Sequence, residues 1–276
     1  MKPMTGDQYR GGYTGKLLDV DLGREKAEAM PWPGEWAETY LGGKGFGARI
    51  LYDQLPKNCD PLSPQNILLF LAGPLTGTLA PATGRTVLCT KSPATGLWLD
   101  ANCGGFLGPE LKMAGFDGLI LRGRARQPVV VVIDDEDVRF RPSPDLWGLD
   151  TFSTHRWVKE NLGGDFRVAA IGEAGEKGVL FAGVISEYRA FGRGGAGAVM
   201  GSKNLKAVAV RGSQAVPIAR PERFMRGVRE AFNELAIHPD TGGGRQKYGT
   251  NVILSTMNRT GIHPVKNFQK GSFQGA

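Results

Sequence analysis

At 276 residues, 41% of them apolar, the chain has material for one large folded body or two modest ones. Its 41 glycines point to many turns and short elements, and they lack the Gly-X-Y period of a fibrous protein. The formal charge is +7, of which residues 213–276 carry a net +5, so the body is nearly balanced, which argues against nucleic-acid binding; with no leader-like apolar segment at the start and no run long enough to span a bilayer, a cytoplasmic, soluble protein is expected.

Residues 14–22 alternate apolar and polar from Leu18 and read as a half-buried strand. Residues 34–41 form a short helix stopped by Gly42 and Gly43, and 45–55 form a second, with Phe46, Ile50 and Leu51 on one face and Pro56 at its end. The apolar run 66–72 is a buried strand. Two prolines, three glycines and three threonines then exclude a regular element over 73–85. A strand over 86–90 and a turn over 91–96 follow. Next come an extended stretch over 97–100, a glycine turn over 102–105 and a short helix over 109–114.

Residues 118–122 and 129–133 read as neighbouring strands, and the acidic run 134–137 as a solvated turn. Residues 151–162 form an amphipathic helix with Phe152, Trp157 and Val158 turned inward and His155 at the surface or on a helix face. After a strand over 167–171, a loop over 172–178 and a strand over 179–185 comes the most unusual stretch of the chain, 189–204, rich in glycine and headed by Arg189 and Arg193. A strand over 205–210 closes the body. Beyond a boundary near Ser213 the chain turns helical. Residues 221–236 place Phe224, Val228, Phe232 and Leu235 on one face, the glycines of 241–245 interrupt, and a further helix starts over 252–257. This piece of about 60 residues is marginal as an independent domain.

Chemistry-bearing residues are sparse. Cys59, Cys89 and Cys103 have the spacing of neither a zinc site, an iron–sulfur site nor a disulfide framework, and are expected as buried free thiols. The three histidines, His155, His238 and His263, are scattered. Residues 192–197 match G-x-G-x-x-G literally, but no acidic residue follows at the distance a ribose hydroxyl needs and the chain returns to a strand, so a dinucleotide fold is excluded. Glycine-rich turns with arginine counter-charges suit an anion. The expected site is thus an anion-binding scaffold using Arg85, Arg189 and Arg193; the plainer alternative is a glycine-rich turn with solvated arginines. A faint internal echo pairs Ala72-Gly73, Gly84-Arg85 and Lys91-Ser92 with Ala182-Gly183, Gly192-Arg193 and Ser202-Lys203, suggesting two related halves.

Several motifs taken together carry a resemblance. They are the run 72–78 (Ala-Gly-Pro-Leu-Thr-Gly-Thr), Thr83-Gly84-Arg85, Thr90-Lys91-Ser92-Pro93, the run 101–105 (Ala-Asn-Cys-Gly-Gly), Glu110-Leu111-Lys112, Arg189-Ala190 and the run 192–206. In this order they resemble the N-terminal domain of aldehyde ferredoxin oxidoreductases, and residues 247–250 and 264–269 resemble the start of that family's next domain. The resemblance implies an α+β fold. Two intertwined, pseudo-repeated β-sheets with short flanking helices fill 1–212, and the beginning of an all-α domain follows over 213–276. It implies a tungsten (or molybdenum) bis-pterin, a [4Fe-4S] cluster, and oxidation of aldehydes to carboxylates with ferredoxin as acceptor. Arg85 would bridge pterin and cluster, and Asn102 and Gly104 would contact pterin. Arg189, Ala190, Gly192 and Arg193 would hold the other pterin and its phosphates, and the main-chain carbonyls of Asn102 and Ala190 would ligate magnesium. The family's cluster cysteines and covering helical domains have no counterpart here. An incomplete chain or one part of a split enzyme is therefore expected, inactive alone and partnered by missing domains, with a homodimer as a further expectation and neither nucleic acid nor membrane. Alternatives are a related tungsten enzyme acting on aromatic acyl thioesters or hydroxycarboxylates, and a non-catalytic anion-binding module.

Overall fold

A computed structural model describes residues 11–274. It divides into two compact units, Met1–Arg220 and Pro221–Ala276.

The first unit holds two six-stranded mixed sheets. β1 (Lys16–Asp21), β2 (Lys26–Pro31), β3 (Leu68–Leu71), β4 (Thr86–Lys91), β5 (Trp98–Cys103) and β6 (Gly118–Arg122) form one, in the order β2-β1-β6-β3-β4-β5. β7 (Val129–Asp134), β8 (Asp137–Pro142), β9 (Arg167–Ala170), β10 (Val184–Ser186), β11 (Arg189–Phe191) and β12 (Leu205–Arg211) form the other, in the order β8-β7-β12-β9-β10-β11. Adding six to each number of the first order gives the second. The parallel pairs also correspond, β1 with β6 and β7 with β12, while every other neighbour is antiparallel. The body is therefore two halves of one topology.

This topology corrects two sequence readings. β6 and β7 are consecutive but belong to different sheets. The echo of two halves is real in the fold, yet its register was wrong. Gly84-Arg85 precedes β4, whereas Gly192-Arg193 follows β11, so the two pairs are not equivalent.

Alternation along the strands builds four layers. Leu68 and Phe70 of β3, with Val129, Val131 and Ile133 of β7, point into the shared core between the sheets. Leu69 and Leu71 point outward under α1 (Glu35–Tyr40) and α2 (Lys44–Gln54), packing on Trp32, Phe46 and Ile50. Val130 and Val132 pack outward with Val158 of α4 (Thr151–Asn161) and Phe166. α3 (Leu107–Met113) and α6 (Ala196–Ser202) each contribute to the shared core, and each also touches strands of the opposite half, α3 meeting β9 and β12 and α6 meeting β3 and β4. The remaining short helix, α5 (Glu173–Glu176), lies against α6.

α6 revises the reading of the glycine-rich stretch as an open backbone surface. Ala196, Ala198, Val199 and Met200 are buried core residues. Gly197 and Gly201 are glycine because a Cβ at either would collide with main chain, at the carbonyls of Gly183 and Gly175. His155 is also buried rather than on the surface, and Phe152 is exposed rather than turned in.

Residues 213–220 stay with the first unit. Ser213 N donates to Asp135 Oδ1 (2.7 Å), Gln214 N to the Met113 carbonyl (2.8 Å), and Gly12 N to the Pro217 carbonyl (2.7 Å). The second unit is helical: α7 (Pro221–Ile237), α8 (Arg245–Tyr248) and α9 (Leu254–Arg259), with an irregular turn at Pro239–Gly244. Val228 of the expected apolar face is buried, whereas Phe232 and Leu235 are exposed. Among the described residues no helix is long and apolar enough to cross a membrane.

Candidate functional site

The edge strands β5 and β11, equivalent in the two halves, lie beside each other. Where they meet, an open concavity of about 550 Å3 is lined by Ala82, Gly84, Arg85, Asn102, Gly104, Gly105, Tyr188, Arg189 and Ala190. Five of the seven predicted site residues share this cleft. Gly192 and Arg193 are exposed in the turn just after β11 and are not part of its lining.

Each wall has a local cause. The run 73–85 is held by its own threonines: Gly73 N donates to Thr76 Oγ1 (3.1 Å), and Thr83 Oγ1 donates to the Ala80 carbonyl (2.8 Å). The run delivers Arg85 one residue before β4. Gly84 approaches the next turn backbone to backbone, for a Cβ there would stand 2.8 Å from the Gly105 carbonyl oxygen. Gly105 has φ +106, which a side chain would strain. Gly104 lies against the Arg189 side chain, where a Cβ would stand 3.5 Å from Cδ, in ordinary contact. Arg189 and Ala190 come from the β10–β11 hairpin, whose turn residue Glu187 is tied by Arg167 Nη1 (3.0 Å).

Asn102 and Ala190 are each the penultimate residue of their equivalent edge strands. The resemblance names both residues for one ion, but their differing flanking residues give no sign that they hold equivalent places.

The electrostatics favour an anion. Among the described residues, Arg85, Arg189 and Arg193 form no ion pair. Cys103, next to Asn102 and facing the core, has its thiol pushed up to about 11 by burial, against the pull of Arg189 and Arg85. It is a protonated core residue. No group of three or more His, Cys, Asp or Glu side chains able to hold a metal occurs among the described residues, and the three cysteines are free and buried.

A family model described as "Aldehyde ferredoxin oxidoreductase, N-terminal domain" matches residues 17–212. The chain belongs to the aldehyde ferredoxin oxidoreductase family. Among its relatives, the tungsten-containing aldehyde ferredoxin oxidoreductase of Pyrococcus horikoshii is 45% identical over 267 residues, covering 96% of this chain and 44% of that protein. The Pyrococcus furiosus enzyme of the same name is 44% identical, covering 95% and 44%. The WOR-like subunit of an aliphatic sulfonate oxidoreductase from Pyrococcus furiosus is 38% identical, covering 94% and 43%. Among solved structures, a chain of the active-site complex BamBC of benzoyl coenzyme A reductase superposes with a TM-score of 0.80 at 40% identity, covering 82% of this chain and 35% of that one. This aldehyde ferredoxin oxidoreductase family chain thus spans less than half the length of the relatives it matches. Its α+β fold of two six-stranded sheets followed by helices is the fold expected from the resemblance.

Proposed function

We propose that the cleft between β5 and β11 is the floor for a tungsten (or molybdenum) bis-pterin cofactor in an oxidoreductase that converts aldehydes to carboxylates and passes electrons to ferredoxin. One observation carries this reading: two guanidinium groups without ion-pair partners among the described residues, Arg85 and Arg189, converge on a glycine-lined concavity. The bound group would supply the redox chemistry, and the protein binding, orientation and charge. Arg85 and Arg189 suit phosphate oxygens, being planar forks of fixed charge. Arg85 would also stand between pterin and a [4Fe-4S] cluster. Gly84, Gly104 and Gly105 let a flat ligand approach the main chain. Asn102 and Gly104 would meet one pterin, and Arg189, Ala190, Gly192 and Arg193 the other. The equivalent positions of Asn102 and Ala190 suit a magnesium ion shared by two carbonyls, one from each half.

Cluster ligands and the substrate chamber would lie in the portion of the relatives that this chain does not cover, so the chain alone is expected not to turn over aldehyde. A homodimer and a cytoplasmic location belong to the same reading. The similarity to the benzoyl coenzyme A reductase complex favours a second substrate class, aromatic acyl thioesters, on the same floor.

The test is pterin and metal content of the full chain purified from a tungstate-supplemented host. Arg85→Ala and Arg189→Ala should each lower pterin content by roughly tenfold, the effect of losing about 1.4 kcal/mol of charge-assisted bonding. Content unchanged in both variants ends the assignment.

A further inference from the structure

A polar ladder climbs the exposed edge of β5 toward the cleft. Trp98, Asp100 and Asn102 share one face of the strand by its period of two. Trp98 Nε1 donates to Asp100 Oδ1 (3.4 Å), and Asn102 Nδ2 donates to Asp100 Oδ2 (3.3 Å). Lys44 Nζ, at the first residue of α2, lies 2.8 Å from the same Oδ2. Only Asn102 of these four reaches the cleft lining.

The ladder decides which end of an amide faces a ligand. Lys44 Nζ pairs with the Asp100 carboxylate, and Trp98 Nε1 and Asn102 Nδ2 both donate to it, so three donors surround this one carboxyl and it acts as the acceptor toward Asn102. An asparagine amide has one donating end and one accepting end. Turning its carbonyl toward Asp100 would set two acceptors against each other, so the NH2 is committed to Asp100 and Oδ1 is left over.

We propose that Asp100, paired with Lys44, is a positioning residue that locks the Asn102 amide, so that the cleft wall offers a hydrogen-bond acceptor there and takes a donor of the bound molecule. That donor is a ring N–H or amino group of a heterocycle, while Arg85 and Arg189 take its anionic groups. The identity of the ligand rests on the proposed function; the lock itself does not.

The experiment uses the 15N-labelled full chain, with the Asn102 side-chain NH2 resonances assigned by their loss in Asn102→Asp. At pH 7 Asp100→Asn should shift both resonances and speed hydrogen exchange of the NH2 pair several-fold, and Lys44→Met should do the same to a smaller degree. Asp100→Asn should also lower co-purifying pterin roughly tenfold, with partial rescue in Asp100→Glu. Resonances and exchange rates unchanged in Asp100→Asn overturn the lock. Pterin content equal in wild type and Asp100→Asn overturns its role toward the ligand. A wild-type chain whose amide depends on Asp100 in shift and exchange but which carries no pterin leaves the lock standing and removes the heterocyclic donor along with the cofactor assignment.

Discussion

Cys103 shows how one residue can sit beside a site without taking part in it. Its side chain is buried in the shared core, while its neighbours Asn102 and Gly104 face the cleft. Burial raises the thiol to about 11 in the native state, against an ordinary value of 9.0. The native state keeps its proton longer than the unfolded chain does. Its contribution to stability is therefore intact below pH 9 and is lost as the pH climbs through about 11. Iodoacetamide at pH 8 is expected to leave Cys103 unmodified in the native chain, read by peptide mass mapping. Arg85 and Arg189 favour the thiolate, so removing either guanidinium should raise the thiol further and make alkylation at pH 9–10 slower still. Asp117 is a residue of the opposite kind, fully structural. It accepts from Thr14 N, Gly15 N (2.8 Å), Trp32 Nε1 (2.8 Å) and Lys112 Nζ (2.6 Å). Asp117→Ala leaves the Lys112 ammonium buried and unpaired, and should cost about 3–5 kcal/mol in urea unfolding.

At the scale of elements, the glycines of 192–201 separate into two kinds that sequence alone cannot distinguish. Gly201 lets α6 close on α5, and Gly197 lets it close on the backbone of Ala182 and Gly183 just before β10. Gly192 has open space where a Cβ would stand. Gly197→Ala and Gly201→Ala should each destabilise by about 2 kcal/mol or more, since main chain must move. Gly192→Ala should leave stability within about 0.5 kcal/mol, as surface substitutions do. Urea denaturation of the three variants checks the contrast. The same logic explains α4, which starts where Asp150 Oδ1 accepts from Ser153 N (2.7 Å), a signal legible in the sequence.

At the scale of the molecule, neither half owns its core. Leu111 of α3 and Met200 of α6 pack into one cluster with strands of both sheets. Two buried lysines of the second half add polar ties. Lys203 donates to the carbonyls of Asn66 (2.5 Å), Gly123 (3.1 Å) and Pro64 (3.3 Å), all in the first half, and Lys206 bonds Glu176 within its own half. Residues 1–125 expressed alone should fail to unfold cooperatively, because the face that covers their sheet is missing; circular dichroism across a urea gradient reads this out. Residues 1–220 should unfold in a single transition.

The sequence by itself determined the local elements and the family. Alternation marked β1 and a continuous apolar run marked β3; prolines and glycines marked the ends of α1 and α2; and long motifs in fixed order carried the resemblance to the family the chain belongs to. Those signals are local, being written in each residue's own spacing and backbone preference. The edge strands β2 and β8 alternate only weakly, with Ala27 in one and Val138 and Phe140 in the other half-buried between exposed charged residues, and α6 was hidden by glycines that favour helix poorly in isolation and are tolerated in tight packing. Only the tertiary structure decided that β6 and β7 part into different sheets, that Asn102 and Ala190 hold equivalent places, and that of the arginines expected in one anion site Arg85 and Arg189, 104 positions apart in the chain, line the concavity while Arg193 does not. Such pairings follow from which strand becomes an edge and which edges meet. That outcome is set by burial of both sheets' inner faces at once, and no single stretch of sequence contains it.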